Sequence, residues 1–256
     1  VFLDRLESAR ESLGEDRVSA LMTTTAYSLS KIKEVIDEYL DLRLQGIFFR
    51  SLNPYGFASE KAKELGYSSE SFVEAYKEGL AYILGKNLHS GAFFPEYFTS
   101  LLLSRILTPF STGFVDLQSP SGAGISGVIY DYNGDVYPAD EARMLARMGD
   151  RYFLMGNVFQ DSYRKIFSGN VMQEVVSKSC LEILPGCADC VYFPYCGSDP
   201  VRNYLEYKDV IGRRPGSNFC IKNKLIFDHL FSLLKESDPD TMDVFWSWIT
   251  NRPLKE

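Results

Sequence analysis

The stretch CLEILPGCADCVYFPYCG, residues 180–197, holds Cys180, Cys187, Cys190 and Cys196, four of the chain's five cysteines; the fifth is Cys220. Thiolates are ligands for soft metals, and Cys187-x2-Cys190-x5-Cys196 is a spacing at which one loop offers three of them, leaving a fourth to arrive from elsewhere. Three chemistries compete for such a set: a disulfide framework, a zinc site and an iron–sulfur cluster. The odd cysteine count and the lack of a basic n-region with an apolar h-region at the start favour a reducing compartment, where clustered thiols hold metal. Zinc ribbons usually pair one Cys-x2-Cys knuckle with another, whereas here the loop is followed, after 23 residues, by Cys220 alone. That asymmetry suits an iron–sulfur cluster. Cys180 is left over, as a packed thiol or an alternative fourth ligand.

Composition bounds what surrounds this loop. The chain has 256 residues, 45% hydrophobic, enough for one large or two modest domains. Its net charge of -7 argues against a broad phosphate-binding surface and so against a nucleic-acid partner. Apolar runs such as LLLSRIL are too short to span a bilayer, so the expectation is a cytoplasmic protein with no membrane partner. The chain opens on Val1 within an amphipathic helical pattern, which suggests a fragment of a longer protein.

RVSALMTTT (17–25) and GIFFRSL (46–52) read as strands, and SLSKIKEVIDEYLDL (28–42) between them as a helix capped by serine. This order implies βα units, a parallel sheet and an α/β fold. Residues 69–88 and 95–108 are amphipathic helices, opened by Ser69-Glu70 and by Pro95-Glu96. The small-residue stretch SPSGAGISG (119–127) then changes the texture, and alternating apolar positions around Asn133-Gly134 predict a β-hairpin with a type I′ turn. The expected domains are therefore 1–118 and 119–256. The second continues with helices near 140–148 and 170–179, the cysteine loop, a helix from Asp199-Pro200 and a final helix reaching Leu234.

With hairpin and loop in view, the chain resembles the radical S-adenosylmethionine enzymes that carry a C-terminal SPASM domain, a family that modifies peptides and proteins. The resemblance implies that residues 1–118 are the C-terminal part of a partial (β/α) barrel and 119–256 a small α+β SPASM domain. It matches Cys187, Cys190, Cys196 and Cys220 to the ligands of an auxiliary [4Fe-4S] cluster. Where the family places further cysteines, this chain has Ala139 in DVYPAD, Pro200 in CGSDP and only serines in SPSGAG. One auxiliary cluster rather than two is implied. The strings RVSALMTTT, IFFRSLNPYGFA, VDLQSPSGAG, YNGDVYPADEARMLARMGD, PGCADC and PYCGSDPV are together similar to the B-type maturase of the His-Xaa-Ser peptide system. The family's Cys-x3-Cys-x2-Cys, which binds the cluster that cleaves S-adenosylmethionine, is absent from residues 1–256 and is expected upstream.

What the resemblance implies is radical chemistry on a ribosomally made peptide or protein, with an electron donor as a further partner. S-Adenosylmethionine and its [4Fe-4S] cluster would be cofactors of the full-length protein, and the auxiliary cluster an electron acceptor or a structural clamp. Barrel sites form at the C-terminal ends of strands. This singles out Thr23, Thr24 and Thr25 after the first strand, and Arg50 and Asn53 after the second, as contacts to S-adenosylmethionine; Arg50 has the planar fork that suits its carboxylate. The bland reading is that threonine is a good strand residue and Arg50 makes a structural ion pair. Asp140 follows the position at which sulfatase-maturing relatives have a Cys-Asp pair whose Asp takes a substrate proton; its alternative is an N-cap for DEARMLARM. His89 and His229 have no partner at ligand spacing. A second class of function stands beside the enzyme: a noncatalytic zinc or iron–sulfur module that recognises a peptide and turns nothing over.

Overall fold

The computed structural model describes residues 2–254, which pack as two units. The first takes the chain up to Leu52, Glu64–Phe110 and everything from Leu225; the second takes Asn53–Lys63 and Ser111–Lys224. The sequence expectation divides the chain once, after residue 118. The compact units divide after Phe110, and the segment from Leu225 packs within the first of them.

The first unit is mainly helical. Ser68 caps the helix Ser69–Ser90 by accepting from Ser71 N at 3.1 Å, and Glu96 caps Tyr97–Leu107 with its carboxylate. Both are packed by a helix that sequence reading did not foresee, Pro239–Thr250, whose Asp238 cap accepts from Thr241 N at 2.9 Å. Its apolar Val244, Phe245 and Trp248 are buried, and Trp248 Nε1 donates to Asn87 Oδ1 at 3.2 Å. The expected strands 17–25 and 46–52 form no regular ladder: Arg17 belongs to a 3-10 turn, Glu15–Arg17, and Arg50 N donates back to Phe48 O at 2.8 Å. Thr24 N donates to Arg50 O at 3.0 Å, and Ile47 makes a parallel bridge with Glu96. A parallel strand draws its hydrogen bonds from neighbours on both sides. Among the described residues these contacts are isolated points rather than a continuous ladder, so β-branched composition alone does not make the segments a sheet.

The second unit holds the one regular sheet among the described residues: β1 (Ile129–Tyr130), β2 (Asp135–Tyr137) and β3 (Gly156–Asn157), antiparallel in that order. The hairpin forms where expected, but its turn is not type I′. That turn needs positive φ at two residues, and here only Gly134 has it, at 85°. Asp131 N donates to Asp135 O and Gly134 N to Asp131 O, so the loop is one residue longer and Gly134 alone takes the left-handed position. Strand β2 is buried on both faces and leads into the helix Asp140–Arg147, which packs against Pro200–Tyr207. Tyr55, Tyr137, Leu145, Phe153, Val175 and Val201 share the core that holds these elements, each large side chain contributing about 1.5–3 kcal/mol by leaving water. The helix Asn218–Glu236 begins in this unit and carries Cys220 in its first turn. Among the described residues no helix is long and apolar enough to cross a membrane.

Candidate functional site

After the helix Asn170–Ser177 the chain makes a short 3-10 turn, Leu181–Ile183, and then winds through successive tight turns. Cys187 N donates to Leu184 O, Cys190 N to Cys187 O, Phe193 N to Cys190 O and Cys196 N to Tyr192 O, all at 2.9–3.0 Å. This winding closes the loop on an apolar centre of Leu181, Leu184 and Cys187, with Phe193 and Ile211 packed on it. Gly197 is required where the loop leaves. A Cβ there would lie 2.0 Å from Asp116 O, so only glycine lets the chain after Cys196 pass against the backbone of residues 116–117.

Cys220 approaches from the other side, its amide donating to Ser217 Oγ at 3.2 Å in the first turn of its helix, where the helix dipole favours negative charge. Burial pushes its thiol pKa up, and negative charge at Cys187 and Cys190 adds to the rise, while Lys224 and Arg214 oppose it. Burial also pushes Cys196 up, with Cys220 contributing in the same direction. Cys187, Cys190 and Cys196 are thus all within electrostatic range of Cys220. Cys180 hangs instead on the preceding helix, its Sγ donating to Val176 O at 3.3 Å. All five cysteines are free thiols. Among the described residues no three His, Cys, Asp or Glu side chains are drawn onto a common metal position. An iron–sulfur cluster does not ask for such convergence, since each thiolate binds its own iron, and the donor types fit one: three loop thiols in electrostatic range of Cys220, with a buried cation donating to Cys187.

That cation is Arg214, and sequence reading missed it. Its Nε donates to Cys187 Sγ at 3.1 Å, and its terminal nitrogens to Ser198 Oγ at 2.7 Å and Gly197 O at 3.0 Å. A second missed group surrounds the cap of the helix Pro200–Tyr207. Asp199 Oδ1 accepts from Arg202 N at 2.9 Å, and Arg202 Nε donates to Glu206 Oε1 at 2.8 Å. Burial, reinforced by Asp199 and Glu141, pushes the Asp116 carboxyl up to about 7. Burial lowers the Lys222 ammonium to about 8, with Arg202 pushing the same way and Asp116 and Asp199 opposing. The Tyr55 hydroxyl, 2% exposed and without a hydrogen-bond partner, feels the same acids and is held in its neutral form mainly by burial. Pro200, where a family cysteine is missing, is buried at the start of this helix, and Ala139, at a second such position, packs on the core.

The remaining sequence candidates are scattered. Thr23 is exposed and Thr25 half-buried, with Thr25 N donating to Ser28 Oγ at 2.8 Å at the start of the helix Ala26–Leu29. Thr24 is the buried member of the three, and its Oγ1 lacks a hydrogen-bond partner. Arg50 is half-buried in the same unit, joined to Thr24 through its carbonyl. Asn53 belongs to the other unit, where its carbonyl accepts from Tyr55 N at 2.9 Å. Asp140 is not the N-cap of its helix, a position held by Ala139; its carboxylate is gripped by Arg143 at 2.7 and 2.9 Å on the surface. A side chain one residue inside the helix no longer reaches the free first-turn amides, and the arginine three residues on takes it instead. His89 bonds Gly85 O one turn back, and His229 sets its ring edge-on to Tyr76.

Comparison with known proteins places this geometry in a fold. No family model matches the chain, and no curated protein matches it in sequence. Solved structures do match. A hexahistidine-tagged anSMEcpe with bound AdoMet is similar over 99% of this chain and 64% of that one, at 16% identity and a TM-score of 0.67. Native anSMEcpe with bound AdoMet is similar over 91% and 61%, at 16% identity and a TM-score of 0.68. The same native protein with bound AdoMet and a peptide is similar over 91% and 61%, at 17% identity and a TM-score of 0.65. The chain shares the α/β fold of these structures, and it spans less than two thirds of their length.

Proposed function

We propose that this chain is part of a radical S-adenosylmethionine enzyme that modifies a ribosomally made peptide or protein, with Cys187, Cys190, Cys196 and Cys220 as ligands of a single auxiliary [4Fe-4S] cluster. The observation that carries the reading is a combination: a fold shared along nearly the whole chain with structures that bind AdoMet and peptide, and three loop thiols each in electrostatic range of Cys220. When bound, S-adenosylmethionine and its cluster supply an organic radical that takes hydrogen from the substrate, and the auxiliary cluster supplies a one-electron redox centre. This chain's residues do the rest. Thr23, Thr25, Arg50 and Asn53 contact S-adenosylmethionine, with the Arg50 guanidinium suited to its carboxylate. Asp140, on the surface and ion-paired with Arg143, is the proton acceptor for the substrate. Residues 119–256 carry the auxiliary cluster and 1–118 the barrel-derived part, and within the class the chain is of the His-Xaa-Ser B type. The protein works in the cytoplasm, fed by an electron donor.

The reading is tested by metal content. Protein purified anaerobically and reconstituted with iron and sulfide takes up about four of each per chain in this segment, with a broad thiolate-to-iron absorption. Stoichiometric zinc with no iron would sink it and favour the noncatalytic module.

A further inference from the structure

Arg214 is 7% exposed, and each of its three kinds of guanidinium nitrogen has an acceptor: Cys187 Sγ, Ser198 Oγ and Gly197 O. None of these bonds goes to a carboxylate. A buried cation hydrogen-bonded only to neutral groups is expensive, and an anionic sulfur at Cys187 is the partner that would compensate it. The geometry also ties the site together. Cys187 opens the three-cysteine loop and Gly197 and Ser198 follow its last member, so one planar group clamps both ends of the loop. The backbone of the same residue reaches the fourth cysteine: Ser217 N and Oγ both donate to Arg214 O, at 3.2 and 3.1 Å, and Ser217 Oγ accepts from Cys220 N. Lysine has the charge but not the rigid planar fork.

We infer that Arg214 is a positioning residue of the cysteine site that also sets its potential: it holds Cys187, the 197–198 turn and Cys220 in register, and its N–H donor on the sulfur raises the reduction potential of the cluster bound there. The inference rests on the cluster reading above. Its physical basis is that reduction adds negative charge, which a fixed cation and a hydrogen bond to sulfur stabilise, making the centre a better electron acceptor than a bare structural clamp.

The experiment is an EPR-monitored redox titration of the anaerobically reconstituted protein, comparing the parent with Arg214→Met and Arg214→Lys at matched iron content. Arg214→Met is expected to lower the reduction equilibrium constant at least tenfold, about 59 mV for a one-electron couple, and Arg214→Lys to fall between it and the parent. Loss of iron from Arg214→Met with a native circular dichroism spectrum, restored in part by lysine, would support the positioning role. Should both variants fail to fold, Ser198→Ala decides, since it frees one arm of the guanidinium without touching a thiol: a lowered potential supports the inference and a parental one overturns it. A parent that binds no iron overturns the cluster reading and this inference together. A parent that loads, with folded variants at the parental potential and iron content, overturns this inference alone.

Discussion

Glu96 offers the sharpest test of how the first unit is held, because its carboxylate is fully buried (0% exposed) and fixes two pieces of chain at once. Its Oε1 accepts from Phe49 N at 2.9 Å and Phe98 N at 3.2 Å, and its Oε2 accepts from the backbone and hydroxyl of Thr99, both at 2.6 Å. The first of these bonds pins the segment that leads into Arg50; the others start the helix Tyr97–Leu107. Glu96→Ala leaves three backbone donors in a dry interior, each costing about 1–3 kcal/mol, partly offset by relief from burying a carboxylate that burial already drives toward its protonated form. The expected loss is about 3–5 kcal/mol, a large fraction of the roughly 5–15 kcal/mol typical of a domain. Glu96→Gln keeps one oxygen but turns an amide donor toward Thr99 or Phe49, and should lose about 1–3 kcal/mol. Trp246 and Trp248 are the chain's two tryptophans and lie on the helix Pro239–Thr250 of this unit, so their fluorescence in a urea titration reports on it directly. If Glu96→Ala shifted the tryptophan transition by less than about 1 kcal/mol, the claim that this carboxylate organises the unit would be wrong.

Two further outcomes are expected. Cys220→Ala loses or destabilises bound iron while Cys180→Ala leaves iron content and spectrum nearly unchanged, since one removes a ligand and the other a thiol bonded to its own helix; the reverse result would reassign the fourth ligand. Asp116 has its folded pKa raised from 3.8 to about 7, so the folded state binds the proton more tightly between those values and stability falls as pH rises through that window. Asp116→Asn should flatten this fall in thermal melts taken from pH 4 to 8, and an unaltered pH profile would show that burial, with Asp199 and Glu141 beside it, does not impose that burden on Asp116.

What the sequence disclosed follows from how local each signal is. Helices are legible because their openings are written next to them: Ser69-Glu70 at the start of the long helix, one residue after its Ser68 cap, Glu96 before the next, Asp199-Pro200 before the one after the cysteine loop. The helix Pro239–Thr250 carries the same signature in Asp238-Pro239, with Val244, Phe245 and Trp248 at helical spacing. The segments 17–25 and 46–52 are a different case. Val, Ile, Phe and Thr in a run say that a segment can be a strand, but a strand exists only in its partners, and here the pairing amounts to the Thr24–Arg50 bond and the bridge from Ile47 to Glu96. The hairpin shows the middle case: Asn133-Gly134 announced a turn, while its length was decided by Asp131 pairing with Asp135.

The site divides along the same line. Cysteine is rare in this chain, and three of its residues stand within ten positions of each other, so the loop stands out in the sequence, whereas the choice of Cys220 over Cys180 as a fourth ligand comes from the family resemblance. Arg214 could not. Nothing in GRRPGSNFC distinguishes Arg214 from the Arg213 before it; the difference is made by the fold, which brings Arg214 onto a sulfur 27 residues away and buries it there. The buried acids are equally silent, since Asp116 sits in a plain VDL and Asp199 looks like an ordinary cap until Gly197 lets the two backbones meet. Ligands that meet a metal must be of particular types and so leave a trace in composition. The groups that set the charge around them need only be near, and nearness across roughly 20 to 100 residues is a property of packing that no local pattern encodes.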